Sequence, residues 1–460
     1  MRSMVTDHRY RRALVLVAVV AMVAVVASLV GVQAQGDEAG MPEQIRAMWV
    51  VRTALTSRES IERFVDDAVT HGFNTLIVQV SGRGDAYFRS EIMPPAEELI
   101  WAPKDFDPLA TVLELAHARG LKVHAWLNDF FVYNLGGSPA WPQHVVNQHP
   151  EWITYNYQGI STADPSLAVN RPGDLEGAYV DPGLPEVREW VVSRFVEVVK
   201  KYPVDGVHHD FVRYPGRNYG YNPKVREIFK QQYGVDPLDL RQRRTELRNE
   251  LGTAKVGQLD AAWEKFRRSN VTETVRMVHE AVKAIRPDVL ISAAVFADVY
   301  TAGSDKAQDW PLWLKEGYID VAVPMAYNTN TSLVESQIKM AVARKGKGEI
   351  WAGLGAYKLL YQVDELVEQT RRALNAGASG VVYFDYASMA SMPGYLTDLA
   401  TKLGFLPQQQ PQQSVPATSE AAVGAEDLAV PDGSSTPDEA PATPTMPPAS
   451  PTEDNTDLSQ

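Results

Sequence analysis

The sequence predicts an α/β fold, a single (β/α)8 barrel of the TIM type with long loops after its third and fourth strands. Two observations carry this. Eight short apolar, β-branched runs recur between residues 46 and 405, and after each comes a polar or aromatic loop and then a helix-period segment. The runs also lack clean alternation, as parallel strands covered on both faces do. A doubly wound open sheet is the rival. It usually has fewer strands, and no glycine-rich phosphate loop follows any run here.

The predicted strands are 46–51, 74–80, 121–127, 204–210, 289–296, 319–325, 350–356 and 380–385. The helices between them carry start and stop signals. Thr56-x-x-Glu59 reads as a capping box before Ile61, Phe64, Val65 and Ala68, with Gly72 as the stop. Asp107-Pro108 supplies a cap and a first-turn proline before Leu109, Val112, Leu113 and Ala116, and Gly120 ends that helix. Val363, Leu366, Val367, Thr370 and Leu374 form another apolar stripe before Gly377.

Two insertions, 128–184 and 211–262, follow the C-terminal ends of the third and fourth strands. Barrel enzymes build their sites at that end, and loops of this length are usually functional walls or lids. The insertions carry Trp141, Trp152, Tyr155, Tyr157, Tyr214, Tyr219 and Tyr221. Exposed rings beside a cleft would suit the apolar faces of sugars; the plainer alternative is that each ring packs its own loop down.

The 460 residues carry a net charge of −13 and no cysteine. A disulfide scaffold, a thiolate metal site and a cysteine nucleophile are excluded. Residues 407–460 hold nine acids, ten of the thirty prolines and no Lys or Arg. This segment has too little apolar surface to offset ordering entropy and reads as a disordered, Pro-rich acidic tail. The first twelve residues are basic, and the body between carries only a mild negative charge. With no basic cluster beyond Lys345 and Lys347, a nucleic-acid partner is not expected.

The basic head precedes the uncharged run Ala13–Val32 and a small-residue site at Val32-Gln33-Ala34. Residues 1–34 therefore read as a signal peptide or, because the run reaches the ~20 residues of a membrane span, as an N-terminal anchor. Both readings place the body outside the cytoplasmic membrane, secreted or anchored at its outer face.

On a barrel, polar residues at strand C-termini converge on one mouth. They are Arg52; Arg83, Asp85 and Tyr87; His124, Asn128 and Asp129; His208, Asp210, Arg213 and Tyr214; Asp298; Tyr327 and Asn328; Tyr357; and Asp385 and Tyr386. Carboxylates, amides, histidines and aromatics, with no cysteine and no serine elbow, suit glycoside hydrolysis. That reaction needs one carboxyl as acid and one as nucleophile or base. His208 and Asp210 are two residues apart and share a strand face, so Asp210 can point into the site. A dry carboxylate there needs Arg213, a tyrosine or water as partner. His208 and His209 point to opposite faces and cannot easily share a metal ion, so no metal or other cofactor is expected. His208 is expected to bond Asp210 or a sugar hydroxyl, and His209 to face the helices.

The segment Asp205-Gly-Val-His-His-Asp210-Phe-Val-Arg-Tyr-Pro215 resembles the fourth-strand motif of the glycosyl hydrolase-like family 10 proteins, exported bacterial barrels. Arg46-Ala-Met-Trp49, Gln79-Val-x-Gly-Arg83-Gly-Asp85-Ala-Tyr87, Asp107-Pro-Leu109, His117 through Asn128, Gln308-Asp-Trp310 and Asp320-x-x-x-Pro-Met-x-Tyr327 match in the same order. The resemblance spans residues 46–405. It implies a glycosidase acting on bacterial cell-wall or related polysaccharide, a peptidoglycan-like glycan. It places His208, Asp210, Tyr214 and Pro215 on family positions. The sequence departs from the pattern at Asp129-Phe130, where many relatives continue with Pro-Tyr-Arg, and at Phe211, where many carry a second Asp.

Asp210 is thus the expected first catalytic carboxyl. Asp298 at the fifth strand's end is the expected second by analogy with other barrel glycosidases, then Asp385, with Asp85 behind. Arg83, Asp85, Tyr87, His124, Asn128, His208, Arg213, Tyr214 and Tyr327 are the expected substrate contacts. The alternative is a non-catalytic glycan-binding module that uses the same groups.

Overall fold

In the computed structural model all eight apolar runs become parallel strands of one closed barrel. Residues 44–406 are described, Arg171 and Asp174 excepted. The expected export segment, residues 1–34, and the expected disordered tail, residues 407–460, lie outside the described residues. The barrel strands are β1 (Ile45–Val50), β2 (Thr75–Ser81), β3 (Lys122–Asn128), β6 (Gly206–Asp210), β7 (Leu290–Phe296), β8 (Val321–Ala326), β9 (Glu349–Gly355) and β10 (Gly380–Phe384). Their order around the barrel is β1-β10-β9-β8-β7-β6-β3-β2. The insertion after β3 adds a two-stranded antiparallel sheet, β4 (Phe131–Asn134) with β5 (Gly177–Tyr179), which the sequence reading did not anticipate.

Eight helices follow the barrel strands: α1 (Arg58–Thr70), α2 (Pro108–His117), α3 (Pro185–Lys201), α4 (Thr253–Ile285), α5 (Trp310–Glu316), α6 (Thr331–Val342), α7 (Val363–Asn375) and α8 (Tyr395–Leu403). Asp107 caps α2 as expected, its carboxylate accepting from Ala110 N. The cap of α1 is Ser57 rather than Thr56; the Ser57 hydroxyl accepts from Ser60 N, the same chemistry one residue on. Among the described residues no helix is long and apolar enough to cross a membrane.

Two apolar layers result from the strand pleat. Residues facing outward pack under the helices in the larger core. Residues facing inward, among them Trp49, Ile77, Trp126, Val323, Trp351 and Val382, fill the barrel itself. The β7 end is closed from outside by Gln308, which accepts from Phe296 N (2.8 Å) and donates to Ala294 O (3.2 Å), and by Trp310, which donates to Phe296 O (3.2 Å). These bonds give the Gln308-Asp-Trp310 motif a structural job.

Candidate active site

Asp210 ends β6, buried at the C-terminal mouth of the barrel. Its Oδ1 accepts from Phe211 N (2.6 Å) and from Arg213 Nη1 (3.2 Å). Among the described residues no bond falls on Oδ2. Burial pushes this carboxyl above its usual range, against the opposing pull of Arg213 and the Phe211 N–H. Phe211 has a left-handed backbone (φ 49°), a conformation that Asp adopts more readily than a bulky ring. The ring does its own work at this site. The Arg213 guanidinium lies 4.0 Å over it and 5.2 Å from the Phe296 ring centroid, so the cation packs against two aromatic rings.

The other end of the guanidinium meets Glu176, 3.6 Å from Arg213 Nη2, and the Tyr179 hydroxyl donates to Glu176 Oε2 (2.8 Å). Glu176 and Tyr179 come from the β5 segment of the first insertion, and the sequence reading missed both. The available signal was an acid inside the otherwise apolar run Leu175–Val180.

Across the mouth, Tyr327 follows β8 and stacks on Phe384 (5.5 Å, 23°), with Trp49 and Tyr357 edge-on at 6.2 and 6.0 Å. These rings and Trp126 floor the mouth. Burial first, then the charges of Asp210 and Asp385, raise the Tyr327 hydroxyl well above the ordinary tyrosine range. Tyr327 therefore senses both acids, and Asp210, Arg213, Tyr327, Tyr357 and Asp385 form one neighbourhood. Asp385 caps the short helix Tyr386–Ala390, its Oδ1 accepting from Ser388 N (3.1 Å), and the Phe384–Asp385 peptide is cis.

Asp298 is placed differently. It is exposed and caps the helix Val299–Ser304, its carboxylate accepting from Thr301 N (2.8 Å). Asp298→Ala is expected to reduce stability by about 1 kcal/mol, the worth of one cap, while kcat stays within a few-fold. Paired denaturation and rate measurements check this, and a kcat collapse would return Asp298 to the chemistry.

Several expected substrate contacts are structural instead. His124 sits four residues below the strand end, against Trp351 (5.5 Å) and beside Gly206 at the start of β6. At ~3.3 Å per residue that is the lower barrel, not the mouth. His208 lies one layer higher. Its Nε2 accepts from Trp49 Nε1 (3.1 Å), which leaves Nδ1 to donate to Ser292 Oγ (2.8 Å). The ring bonds neither Asp210 nor a free surface, because Trp49 and Ser292 take both nitrogens. His209 faces outward as expected, onto Phe195 of α3, with Nδ1 2.9 Å from the Asp129 carboxylate.

Burial lowers the His124 pKa to about 4. An unfolded chain takes up this proton near 6.5, the folded one only near 4, so stability falls as pH drops between those values. The loss is on the order of 3 kcal/mol for this residue. Denaturant titrations from pH 7 to 4.5 on wild type and His124→Leu are expected to show a shallower pH slope in the variant. An unchanged slope would contradict this origin.

Arg83, Asp85 and Tyr87 form a buried cluster. Arg83 donates to Asp85 Oδ2 (3.2 Å) and to Glu98 (2.6 and 2.8 Å), and its carbonyl accepts from His144 (2.6 Å). Asn128 donates to Gly82 O (2.7 Å) and accepts from Trp126 Nε1 (3.0 Å). Tyr214 donates to Asp181 Oδ1 (2.9 Å), buried under the Arg267 guanidinium (4.6 Å). These groups bind loop to loop, because most polar atoms taken from water find an internal partner. The insertion aromatics follow the same logic. Trp152, Tyr214, Tyr219 and Tyr221 are buried against neighbouring loops and helices rather than exposed to a cleft.

A closed parallel barrel with carboxylates, a stacked arginine and tyrosines at its C-terminal mouth has the build of carbohydrate-processing barrels. The chain belongs to the glycosyl hydrolase-like 10 family, whose model matches residues 44–365. It is 27% identical over 317 residues to the glycosyl hydrolase YngK of Bacillus subtilis (strain 168), covering 62% of this chain and 54% of that protein. It is also 27% identical over 281 residues to the glycosyl hydrolase DigH of Escherichia coli (strain K12), covering 56% of this chain and 55% of that protein. The chain thus spans about half the length of these relatives. Among solved structures, the PgaB (BpsB) glycoside hydrolase domain from Bordetella bronchiseptica superposes with a TM-score of 0.58 at 13% identity, over 78% of this chain and 99% of that one, a likeness of fold.

Proposed function

We propose that this protein is an exported glycoside hydrolase that cleaves O-glycosidic bonds in a bacterial cell-wall or related polysaccharide. The observation that carries the reading is Asp210: a buried carboxyl at a strand end, one oxygen pinned by Arg213 and Phe211 N and the other unbonded. Burial favours its protonated form, which suits a general acid toward a glycosidic oxygen. Half-buried Tyr327, Tyr357 and Phe384, backed by the buried Trp49 and Trp126, offer apolar faces to a sugar ring. The glycosyl hydrolase names of the relatives support the reaction class. The basic head and apolar run of residues 1–34 support export, whether by a cleaved signal or a retained anchor.

Incubation of the purified protein with peptidoglycan, with and without its stem peptides, tests the reading. Release of new reducing ends is the expected result. Co-sedimentation without release would instead assign a non-catalytic glycan-binding module.

A further inference from the structure

We propose that Glu176, not Asp298 or Asp385, is the catalytic carboxyl that works with Asp210, the two facing each other across Arg213. The inference rests on the glycoside hydrolase reading and names a residue of that same site.

The other acids around the mouth are each engaged elsewhere. Asp298 is an exposed helix cap. Asp85 is locked by Arg83. Asp129 is fully buried against His209. Asp181 is fully buried and accepts from Thr154, Tyr214 and Gly183 N. Asp385 is engaged as a cap by Ser388 N, and its link to Asp210 runs only through the field at Tyr327.

Glu176 differs in three ways. It shares one cation with Asp210: the two carboxylates touch opposite ends of the same guanidinium, at 3.6 and 3.2 Å. A planar guanidinium is only a few ångströms across, so the contacted carboxyl oxygens lie no more than about 9 Å apart, a limit compatible with the span that paired glycosidase carboxyls use. Its side chain keeps 18% exposure, more than the 10% of Asp210, so a ligand in the mouth can reach it. It also comes from the β5 segment while Asp210 ends β6, so two separate elements present the two acids.

The chemistry balances with these two groups. Protonated Asp210 gives its proton to the glycosidic oxygen as the bond to the anomeric carbon breaks, and the bonding pair leaves with the sugar alcohol. The Glu176 carboxylate either bonds the anomeric carbon, to be displaced by water whose proton Asp210 takes, or takes that proton from a water attacking directly. Arg213 and the Tyr179 hydroxyl fix the position of the Glu176 carboxyl.

The test compares reducing-end release by the full chain and by its Asp210→Asn, Glu176→Gln, Glu176→Ala, Asp385→Asn and Asp385→Ala variants. Glu176→Gln is expected to lower kcat about 10²–10⁴-fold with melting temperature and glycan retention unchanged. Sodium azide is expected to restore turnover to Glu176→Ala, with azide ending up on the released sugar, which a packing role could not produce. Asp385→Asn is expected to act on KM. The proposal is overturned if Glu176→Gln keeps kcat within tenfold, or if azide rescues an Asp385→Ala variant and not Glu176→Ala. Full activity in Asp210→Asn as well would overturn the glycosidase site itself, so the two failures read differently.

Discussion

Asp210→Asn is expected to lower kcat for glycan cleavage by about 10³-fold, roughly 4 kcal/mol of transition-state stabilisation, without unfolding the protein. The amide has the same shape as the carboxyl and can still accept from Phe211 N at Oδ1, so the local backbone keeps its bond. The amide cannot donate an acidic proton. It also leaves Arg213 with Glu176 as its remaining carboxylate contact. The variant should therefore still retain glycan on the aromatic floor, which Asp210 does not build. Steady-state kinetics beside a glycan pull-down separate the two effects. Loss of binding together with turnover would mean that Asp210 orders the mouth rather than reacts in it.

The second large effect falls on stability. Arg194 of α3 is fully buried and donates to Asn128 O (3.0 Å) and Asp129 O (2.7 Å), with its guanidinium 3.9 Å over Trp190. It satisfies the two carbonyls at the point where β3 leaves the barrel and the first insertion begins. Burial drives its pKa down to about 10, so it stays charged at neutral pH. Arg194→Leu would strand both carbonyls in a dry site and remove the ring contact. The expected loss is about 3–5 kcal/mol, read as a lower urea midpoint with an unchanged slope. A loss under about 1 kcal/mol would mean that water reaches those carbonyls when the guanidinium is gone.

Much of the fold was legible because its signals are local. Each strand run formed within two residues of its expected limits, from Ile45–Val50 to Gly380–Phe384, since buried parallel strands are written as contiguous apolar stretches. Asp107-Pro108 was readable as a cap because capping chemistry lies within one helical turn. The mouth was partly legible. Asp210, Arg213, Tyr327 and Asp385 end their strands and gather there as barrel geometry requires.

The missed elements share a different cause. His124, His208, Asn128, Tyr214 and the Arg83–Asp85 pair carry the residue types of a sugar site, yet their partners lie far along the chain: Trp351, Ser292, Gly82, Asp181 and Glu98. Whether a polar side chain faces a ligand or a distant loop depends on where that loop lands. Residue type and strand period are silent on this. Glu176 is the reverse case. It lies in a segment whose hairpin with Phe131–Asn134 brings it to Arg213, a placement set by antiparallel pairing and by the Tyr179 hydroxyl.

The barrel, and the gathering of Asp210, Arg213, Tyr327 and Asp385 at one mouth, were readable from the chain alone, because strand period and chain order set both. Contacts between distant segments settled how each acid is engaged. Asp298 and Asp385 are taken up as caps and Asp85 as an ion-pair partner, while Glu176 arrives from an insertion to share a guanidinium with Asp210. Desolvation explains the difference: most polar groups drawn into the mouth took partners, and which groups paired off was settled by contacts across the loops.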